Sequence, residues 1–369
     1  MEAKKYEIKK FPLDLDLETP KVLKQLAKSY RRLSELKGIA STIPNEEILI
    51  NSLSLQEARD SSSIENIITT QDEIFTASLN IKEAVVSSSA KEVLRYADAL
   101  KHGFKSVRKN KILTLNNIIE IQSILTESNS GYRSLPGTAL KNSSTNETVY
   151  TPPQSIDEIN SLMRNLEVFI NDDSISDLDP LVKLCLIHHQ FESIHPFYDG
   201  NGRTARFLTS YQLTQVLHYT VALRLSITIK KNRKDYYDLF SLTDDENNCG
   251  DLTPFVTGFL QITHRAVNDT IALLQRKLAQ YKKNLAILEQ ISEDALSQDI
   301  YKLLFQASLL YGQGITMQEL SKLLDKSPNT IKSRLQAIPE EHIIIIQRNR
   351  KKFYKLNLLL LKKYTYREN

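Results

Sequence analysis

The chain reads HPFYDGNGRTAR from His195 to Arg206. This charged stretch separates two apolar runs of helical character, 181–191 and 207–217, so we predict a loop that leads into the N-terminus of a helix. The backbone N–H groups at such a helix start point outward and attract anions. The two glycines of the stretch allow the backbone angles and the close approach that this arrangement requires.

The side chains of this loop indicate a nucleotide polyphosphate as its ligand. Arg203 and Arg206 are three residues apart, so the first turns of the helix should bring them together. Two forked cations beside backbone amides suit a polyphosphate better than a single carboxylate. Asp199 would meet phosphate only through a bridging Mg²⁺. Histidine ordinarily titrates near neutral pH, so His195 is the natural general base.

The stretch also matches, at every defined position, the pattern His-x-Phe-x-(Asp/Glu)-Gly-Asn-Gly-Arg-x-x-Arg, and on this motif the chain resembles the Fic (Fic/Doc) family over roughly residues 40 to 265. The resemblance implies a mainly α fold, a Fic-type helical bundle with a β-hairpin flap. It implies a protein adenylyltransferase, which moves AMP from ATP to a Ser, Thr or Tyr hydroxyl of a target protein with His195 as the catalytic base. The nucleotide-binding residues expected are Asp199, Gly200, Asn201, Gly202, Arg203, Thr204, Arg206 and Tyr236, with Asp199 as the Mg²⁺ ligand.

An upstream segment, RDSSSIENI at 59–67, has two interpretations. A serine cluster followed by a glutamate is typical of a helix start, with serine as the N-cap, and the residues alone favour this interpretation. The segment also resembles the inhibitory motif of Fic proteins, (Ser/Thr)-x-x-x-Glu-(Gly/Asn), with Ser61, Glu65 and Asn66 in the matching places. The resemblance implies that Glu65 pairs with Arg206 and so occupies the guanidinium that should hold the γ-phosphate of ATP.

Two further features concern the substrates. Between 138 and 151, β-compatible ends bracket a polar turn, which predicts a hairpin. This hairpin is either an ordinary surface feature or, as the resemblance implies, the flap that pairs with an extended segment of the target protein. The resemblance also implies that Tyr236 lies against the adenine, although tyrosines at this spacing are more often core residues. Some family members have an asparagine eight residues later, where this chain has Asp244, so the nucleobase contact stays open.

The C-terminal part of the chain predicts a separate domain. Three helices and two strands, in an order that resembles a winged helix-turn-helix, are predicted at 299–311, 317–324, 329–336, 343–347 and 353–356. Residues 296–369 hold 13 Lys and Arg against 6 Asp and Glu, a net charge of +7 that leaves −3 for the rest. Such a unit could bind DNA or protein. The candidate DNA-binding residues are Lys332, Arg334, Arg348, Arg350, Lys351 and Lys352.

Composition sets the domain count. A chain of 369 residues with 41% hydrophobic content can form two or three domains with real cores. We predict an N-terminal helical region over 1–110, which carries the inhibitory helix at about 59–68, and a Fic core over 111–262. A linking helix over 263–294 and a winged-helix-like domain over 295–369 follow. The linking helix is amphipathic and could serve in a homodimer.

The cysteine count and the hydropathy pattern favour a cytoplasmic protein. Two cysteines, Cys185 and Cys249, and no signal-like N-terminus argue against a disulfide framework. Cys185 lies in an apolar helical run and is expected in the core. No apolar stretch approaches the ~20 residues that span a membrane, so we expect no membrane partner.

Two other functions stay open on sequence grounds. Glu65 could orient a water molecule that removes AMP from a modified target, which would make the chain a de-AMPylase. Alternatively, the chain could be a DNA-binding regulator whose Fic core only senses nucleotide. A regulator should bind its promoter with a steep salt dependence and should tolerate loss of His195.

Overall fold

The structure is a computed structural model. It describes residues 8–43, 45–70, 73, 74, 77, 87–110, 112–141, 145–217, 224–245, 248, 250–292, 294–311, 314–348 and 351–365. These residues pack into two units. The first takes its members from 1–38, 54–69 and 88–270, and the second from 39–53, 70–87 and 271–369. No helix of the described ranges combines the length and the apolar character that a membrane span requires.

The first unit is built mainly from helices. They are α1 (Pro20–Ala40), α2 (Glu46–Ile64), α3 (Ser88–Asn110), α4 (Leu115–Thr126), α5 (Ile156–Asn171), α6 (Pro180–Ile194), α7 (Asn201–Leu217), α8 (Leu225–Lys231), α9 (Arg233–Thr243) and α10 (Thr253–Gln290). Helix α2 begins and helix α10 ends within the residue ranges of the second unit. The mainly α fold expected from the sequence is confirmed.

Helix α6 is the centre of the first unit. It buries 13 of its 15 residues, among them Cys185, and packs against α5 and α7. Burial on nearly every side places this helix in the interior of the unit. Asp179 caps its N-terminus by accepting from the Leu181 N–H at 2.8 Å, and Pro180 occupies the first turn. The central helix therefore ends at His195 and carries the motif loop into the core.

Helix α2 corrects the capping interpretation of the serine cluster. The helix continues through Ser61 to Ile64, so these serines form its last turn and not the start of another helix. Asn66 follows in the left-handed conformation (φ 62°), which is a common way for a helix to end. Ser61 is fully buried and accepts a hydrogen bond from Arg206, 145 positions away in the sequence. A local capping pattern could not reveal that distant partner.

The hairpin expected at 138–151 is present in short form. Strands β1 (Leu140–Lys141) and β2 (Thr148–Tyr150) pair antiparallel, with an irregularity in register. The tip at 142–144 lies outside the described residues. The Tyr150 hydroxyl donates to the Ser193 carbonyl at 2.9 Å, which ties the hairpin to the last turn of α6.

The second unit contains a small sheet and further helices. Its elements are α11 (Ala295–Gln306), β3 (Ile315–Thr316), α12 (Met317–Leu324), α13 (Pro328–Ala337), β4 (Ile343–Arg348), β5 (Lys351–Leu356) and α14 (Leu358–Thr365). The strands pair antiparallel in the order β3-β5-β4 over a core that includes Leu304, Leu320 and Ile331. The expected helices and hairpin are present, and the winged-helix resemblance stays a prediction, as do the domain boundaries.

Candidate active site

The motif loop begins at an unusual backbone conformation. His195 ends α6 in the left-handed region (φ 48°), and its N–H donates to the Phe191 carbonyl at 3.0 Å. Residues other than glycine rarely adopt this conformation, and it persists where the surroundings enforce it. The His195 Nδ1 atom is buried and has no hydrogen-bond partner among the described residues. The turn thus holds the imidazole with its Nδ1 atom turned away from solvent.

Burial lowers the pKa of His195 to about 4, and the positive charge of Arg133 acts in the same direction. The carboxylates of Glu65 and Asp199 oppose this shift but do not cancel it. The imidazole is therefore neutral at physiological pH, which is the form that a general base requires.

Arg133, from the loop before the hairpin, binds the backbone of this turn. Its Nε atom donates to the His195 carbonyl at 2.7 Å and its Nη2 atom to the Ile194 carbonyl at 3.3 Å. The backbone N–H of Arg133 donates to the Pro196 carbonyl at 2.8 Å. The side chain is buried, with the residue 1% exposed. Sequence reasoning missed this residue, because nothing in its own neighbourhood points to a partner 62 positions away.

The rest of the loop is shaped by Asn201 and Gly200. The Asn201 side chain accepts from the Phe197 N–H at 2.9 Å and donates to the Phe197 carbonyl at 2.8 Å. Gly200 has a φ of 84°, and a Cβ atom there would press against Leu125 and Thr126. The Thr204 N–H donates to the Gly200 carbonyl at 2.9 Å and so starts α7. The Asn201 amide therefore braces the loop, and its expected contact with phosphate stays a prediction.

Arg203 is buried and has carboxylate partners from two elements. Its Nη1 atom donates to Glu92 of α3, and its Nη2 atom lies 3.4 Å from the Asp199 Oδ1 atom. The Tyr96 hydroxyl, also on α3, donates to the Arg203 carbonyl at 2.9 Å. Sequence reasoning had not singled out Glu92. The signal for Glu92 was weak, since a glutamate on a helix is usually solvated.

Arg206 meets the segment that the resemblance described as inhibitory. Its Nη2 atom donates to the Glu65 Oε1 atom at 2.7 Å, and its Nε atom donates to the Ser61 hydroxyl at 2.7 Å. Nη2 also donates to the Ser61 carbonyl at 3.2 Å. Partial burial raises the pKa of Glu65, but Arg206 and then Arg203 outweigh it, so the net shift is downward. Glu65 is thus an ionised carboxylate at neutral pH, paired with the expected arginine.

Gly202 and Asn66 fit around this pair. A Cβ atom at Gly202 would overlap the Glu65 Oε1 atom, so only glycine allows the carboxylate to lie against the start of α7. The Asn66 Oδ1 atom accepts from the Arg233 Nη1 atom at 3.2 Å. All three residues of the expected inhibitory motif therefore contact the core, two of them through Arg206.

The end of α2 is anchored by further polar contacts. Glu57 is buried and accepts from the Ser226 N–H at 3.1 Å, and it also bonds the Ser226 hydroxyl. Gln56 accepts from Arg224 at 2.8 Å. Burial raises the pKa of Glu57 to about 7. Through Gln56 and Glu57, the helix that precedes Glu65 is therefore bound to the N-terminal end of α8.

Tyr236, the expected adenine contact, is buried, whereas the next residue, Tyr237, is exposed. Tyr236 is 2% exposed, and its hydroxyl bonds His188 Nε2 at 2.8 Å. Burial lowers the pKa of His188 to about 3, so this histidine is a neutral core residue. Tyr237, next in sequence, is 42% exposed. Asp244 lies 3.5 Å from His189, between its Oδ1 and the ring Nε2. An exposed ring for stacking is thus available at Tyr237, while Tyr236 belongs to the core.

Asp199 is the residue that could hold a metal. Its side chain is 72% exposed, and its Oδ1 atom accepts from the Gly200 N–H at 2.6 Å. Within the described ranges, no three His, Cys, Asp or Glu side chains converge on a metal position. Mg²⁺ commonly takes only one or two carboxylates and completes its shell with phosphate oxygens and water. A single exposed carboxylate therefore fits a Mg²⁺ that arrives with a nucleotide.

The candidate DNA-binding residues are only partly described. Lys332 and Arg334 are exposed on α13, and Arg334 lies 3.4 Å from Asp294. Lys352 is exposed on β5. Arg350 lies outside the described residues, and the side chains of Arg348 and Lys351 are likewise not described.

Comparison with known proteins gives two family matches. The model described as "Fic/DOC family N-terminal" matches residues 23–105, and the model described as "Fic/DOC family" matches residues 112–213. Together they span half of the chain. The first match contains the whole of α2 and α3 up to residue 105, and the second contains the motif loop.

Curated relatives carry the name protein adenylyltransferase Fic. The relative from Aedes aegypti is 28% identical over 178 residues, which is 48% of this chain and 33% of that protein. The relative from Drosophila erecta is 34% identical over 107 residues, 29% of this chain and 20% of that protein. The chain thus spans a third or less of the length of these relatives.

Solved structures share the fold. A Fic family protein from Desulfovibrio desulfuricans G20 aligns with a TM-score of 0.57 at 20% identity and covers 94% of this chain and 98% of that one. A Fic-domain-containing signaling protein from Bacteroides thetaiotaomicron aligns at 0.53 with 19% identity, over 68% and 97%. With the two family matches, the motif loop and the helical architecture, these similarities show that the chain belongs to the Fic/DOC family.

Proposed function

We propose that the chain is a protein adenylyltransferase that moves AMP from ATP to a Ser, Thr or Tyr hydroxyl of a target protein, and that Glu65 holds it inactive. The observation that carries this proposal is the state of Arg206. A fully buried guanidinium at the anion-binding start of α7 is occupied by Glu65 and Ser61 and not by solvent. The curated relatives named protein adenylyltransferase Fic support the reaction class.

His195 acts as the base in this proposal. Its neutral imidazole takes the proton of the target hydroxyl as that oxygen forms a bond to the α-phosphorus. The bond between the α-phosphorus and the bridging oxygen breaks, and pyrophosphate leaves. The lowered pKa of His195 supports this role, because it keeps the imidazole neutral.

The remaining groups position the triphosphate and balance its charge. The backbone N–H groups at the start of α7 face the phosphates, and Arg203 and Arg206 neutralise the charge that develops on the leaving group. Asp199 would hold a Mg²⁺, which supplies further charge neutralisation when bound. Because phosphoryl-type transfer needs little covalent work from the protein, the position of these charges sets the rate.

The hairpin is proposed to dock the target. Val149 on β2 is 56% exposed, and Tyr150 fastens the same strand to the residue two positions before His195. A target segment that adds as a strand to β2 would thereby be held at a constant distance from the imidazole.

Glu65 is proposed to inhibit by competition for Arg206. The guanidinium cannot pair with the γ-phosphate while it donates to Glu65 and Ser61, so the triphosphate is held in an unproductive position. The same ionised carboxylate, whose side chain is 35% exposed, could orient a water molecule towards a target-bound AMP. AMP removal is therefore the second candidate activity of this site.

The test uses ATP labelled on the α-phosphate, Mg²⁺ and cell lysate, with purified wild type, Glu65→Gly and Glu65→Gly/His195→Ala. We expect label on protein with Glu65→Gly and none with the double variant. Asp177→Gly, which removes an exposed loop carboxylate, is the matched control and should behave as wild type. Absence of label with every variant would contradict adenylyl transfer, and loss of label from a modified target on adding wild type would favour AMP removal.

DNA binding by the second unit is a separate candidate. The exposed face of α13 carries Lys332, Ser333 and Arg334 behind a capped N-terminus. We expect DNA affinity that falls steeply with salt and that weakens in Lys332→Gln/Arg334→Gln. If wild type and this variant bound DNA with equal affinity, α13 would have no part in DNA recognition.

A further inference from the structure

Arg133 binds the backbone of three consecutive residues, the last of α6 and the first two of the motif loop, and has no catalytic part in the proposed function. Its guanidinium donates to the carbonyls of Ile194 and His195, and its own N–H donates to the carbonyl of Pro196. These three residues form the left-handed turn at the end of α6. We propose that Arg133 is a positioning residue, which enforces this turn and so presents the His195 imidazole to the reacting hydroxyl.

The chemistry of the contact requires arginine in particular. The planar guanidinium offers several N–H groups in a rigid fork, so one side chain can bond two neighbouring carbonyls at the same time. A lysine ammonium is a point donor on a flexible stem and cannot reproduce that fork. Two carbonyls of one strained turn, bonded by one planar group, are held in a single relative orientation.

The environment of Arg133 argues against a role in stability alone. The residue is 1% exposed, and no carboxylate of the described part of the chain lies within ion-pair distance of it. A buried charge without a counter-ion is costly, and an apolar residue of similar size would usually serve the core better. The guanidinium is therefore explained by what it holds, which is the turn at His195.

The charge of Arg133 has a second effect on the same imidazole. The charged groups that face His195 are Arg133 from the loop before the hairpin, Glu65 from the end of α2 and Asp199 from its own loop. The uncharged Glu192 carbonyl of α6 acts on the imidazole in the same direction as the two carboxylates. Arg133 is the cation among them and opposes protonation, while the two carboxylates favour it. Loss of the charge should therefore raise the pKa of His195.

The proposal rests on the proposed function for its kinetic test, so we combine kinetics with a measurement that does not need activity. The variants are Arg133→Lys, which keeps the charge and loses the fork, and Arg133→Met, which loses both. Arg164→Met, at an exposed position of α5, is the control. Transfer kinetics are measured in the Glu65→Gly background, and the His195 imidazole is titrated by NMR without that substitution, with its signal identified by loss in His195→Gln.

We expect kcat to fall by about 10²-fold in both Arg133 variants, because a small displacement of a reacting group has effects of this size, and KM for ATP to change little. The pKa of His195 should stay low in Arg133→Lys and rise by about one unit in Arg133→Met. Arg164→Met should change neither quantity. The thermal midpoint of each variant checks that it is folded.

A kcat for Arg133→Lys equal to that of its Glu65→Gly parent would overturn the positioning role, whatever the behaviour of Arg133→Met. If the pKa of His195 were unchanged in folded Arg133→Met, the claim that the Arg133 charge lowers this pKa would be wrong. If the Glu65→Gly parent itself transfers no AMP, adenylyl transfer fails. The titration and the chemical shifts of His195 in the Arg133 variants then still decide whether Arg133 holds the turn.

Discussion

Two glutamates, one from α3 and one from beyond the end of α2, each hold one of the two buried arginines of the motif. Glu92 lies within α3 and pairs with Arg203, whereas Glu65 follows the last residue of α2 and pairs with Arg206. The Glu92 side chain is 23% exposed and the Glu65 side chain 35%. A carboxylate inside a helix moves only with the helix, while one beyond a helix end can withdraw by a local opening. We therefore propose that the Glu92 pair belongs to the permanent fold and that the Glu65 pair can be released.

Stability should separate the two pairs most strongly. Arg203→Met leaves Glu92 without its partner in a largely buried place, and we expect a loss of about 3 kcal/mol in the free energy of unfolding. Arg206→Met should cost less, because Glu65 is more exposed and remains better hydrated. Urea unfolding measures both. Arg203→Met/Glu92→Leu should recover much of the loss, and equal losses for the two single variants would contradict the distinction.

Activity should change in opposite directions at the two glutamates. Glu65→Gly frees Arg206 for the γ-phosphate, and we expect transfer to rise by about 5- to 150-fold, the usual range of a coupling between two ligands of one site. Glu92→Gln loosens Arg203 and should lower transfer. The rate of label incorporation from ATP labelled on the α-phosphate checks both. If the transfer rate rose as much in Glu92→Gln as in Glu65→Gly, both ion pairs would inhibit transfer and the distinction would be wrong.

A substitution of Ser61 tests whether the Glu65–Arg206 pair depends on more than the Glu65 carboxylate. Ser61→Ala removes the hydroxyl that accepts from Arg206 Nε and leaves a buried donor without its partner. We expect the free energy of unfolding to fall by about 1 kcal/mol and basal transfer to rise less than in Glu65→Gly. The matched control is Ser63→Ala, in the same helical turn. The same transfer rate in Ser61→Ala and wild type would confine the inhibition to Glu65.

A pH dependence is also expected at the end of α2. Burial raises the pKa of Glu57 from 4.5 to about 7, so stability that is present below pH 4.5 is lost as the pH rises through about 7. The pKa of Glu65 is lowered, so its contribution to the free energy of unfolding is present at neutral pH and is lost on acidification below its unfolded pKa.

Urea unfolding at several pH values checks the Glu57 effect. The free energy of unfolding should decline less between pH 4.5 and 7 for Glu57→Gln than for wild type. Glu192, whose pKa burial also raises to about 7, should preserve part of that decline. An identical profile for wild type and Glu57→Gln would contradict the assignment.

Local patterns predicted much of this molecule. The helices, the hairpin and the buried place of Cys185 follow from the spacing of apolar residues and from turn residues, which act within a few positions of each other. The motif loop follows from the same kind of reasoning, since His195 to Arg206 occupy one loop and two helical turns. The pairing of Glu65 with Arg206 was expected from the family resemblance and from no property of the segment itself.

The capping interpretation of Ser61 to Ser63 was wrong for an instructive reason. Serines followed by glutamate satisfy backbone N–H groups at a helix start in isolation. In the fold, Ser61 instead meets the guanidinium of Arg206, and the left-handed Asn66 ends the helix three residues beyond the cluster. A distant buried cation provided a better partner than the local backbone.

By itself, the sequence determined the helical framework and the composition of the anion-binding loop, because both depend on residues that are close along the chain. Only the tertiary structure decided which groups complete the site. Arg133, Glu92 and Ser61 come from three separate segments and reach the loop at His195, Arg203 and Arg206. The physical reason is that buried polar groups must find hydrogen-bond partners wherever packing places them, and packing depends on the whole chain.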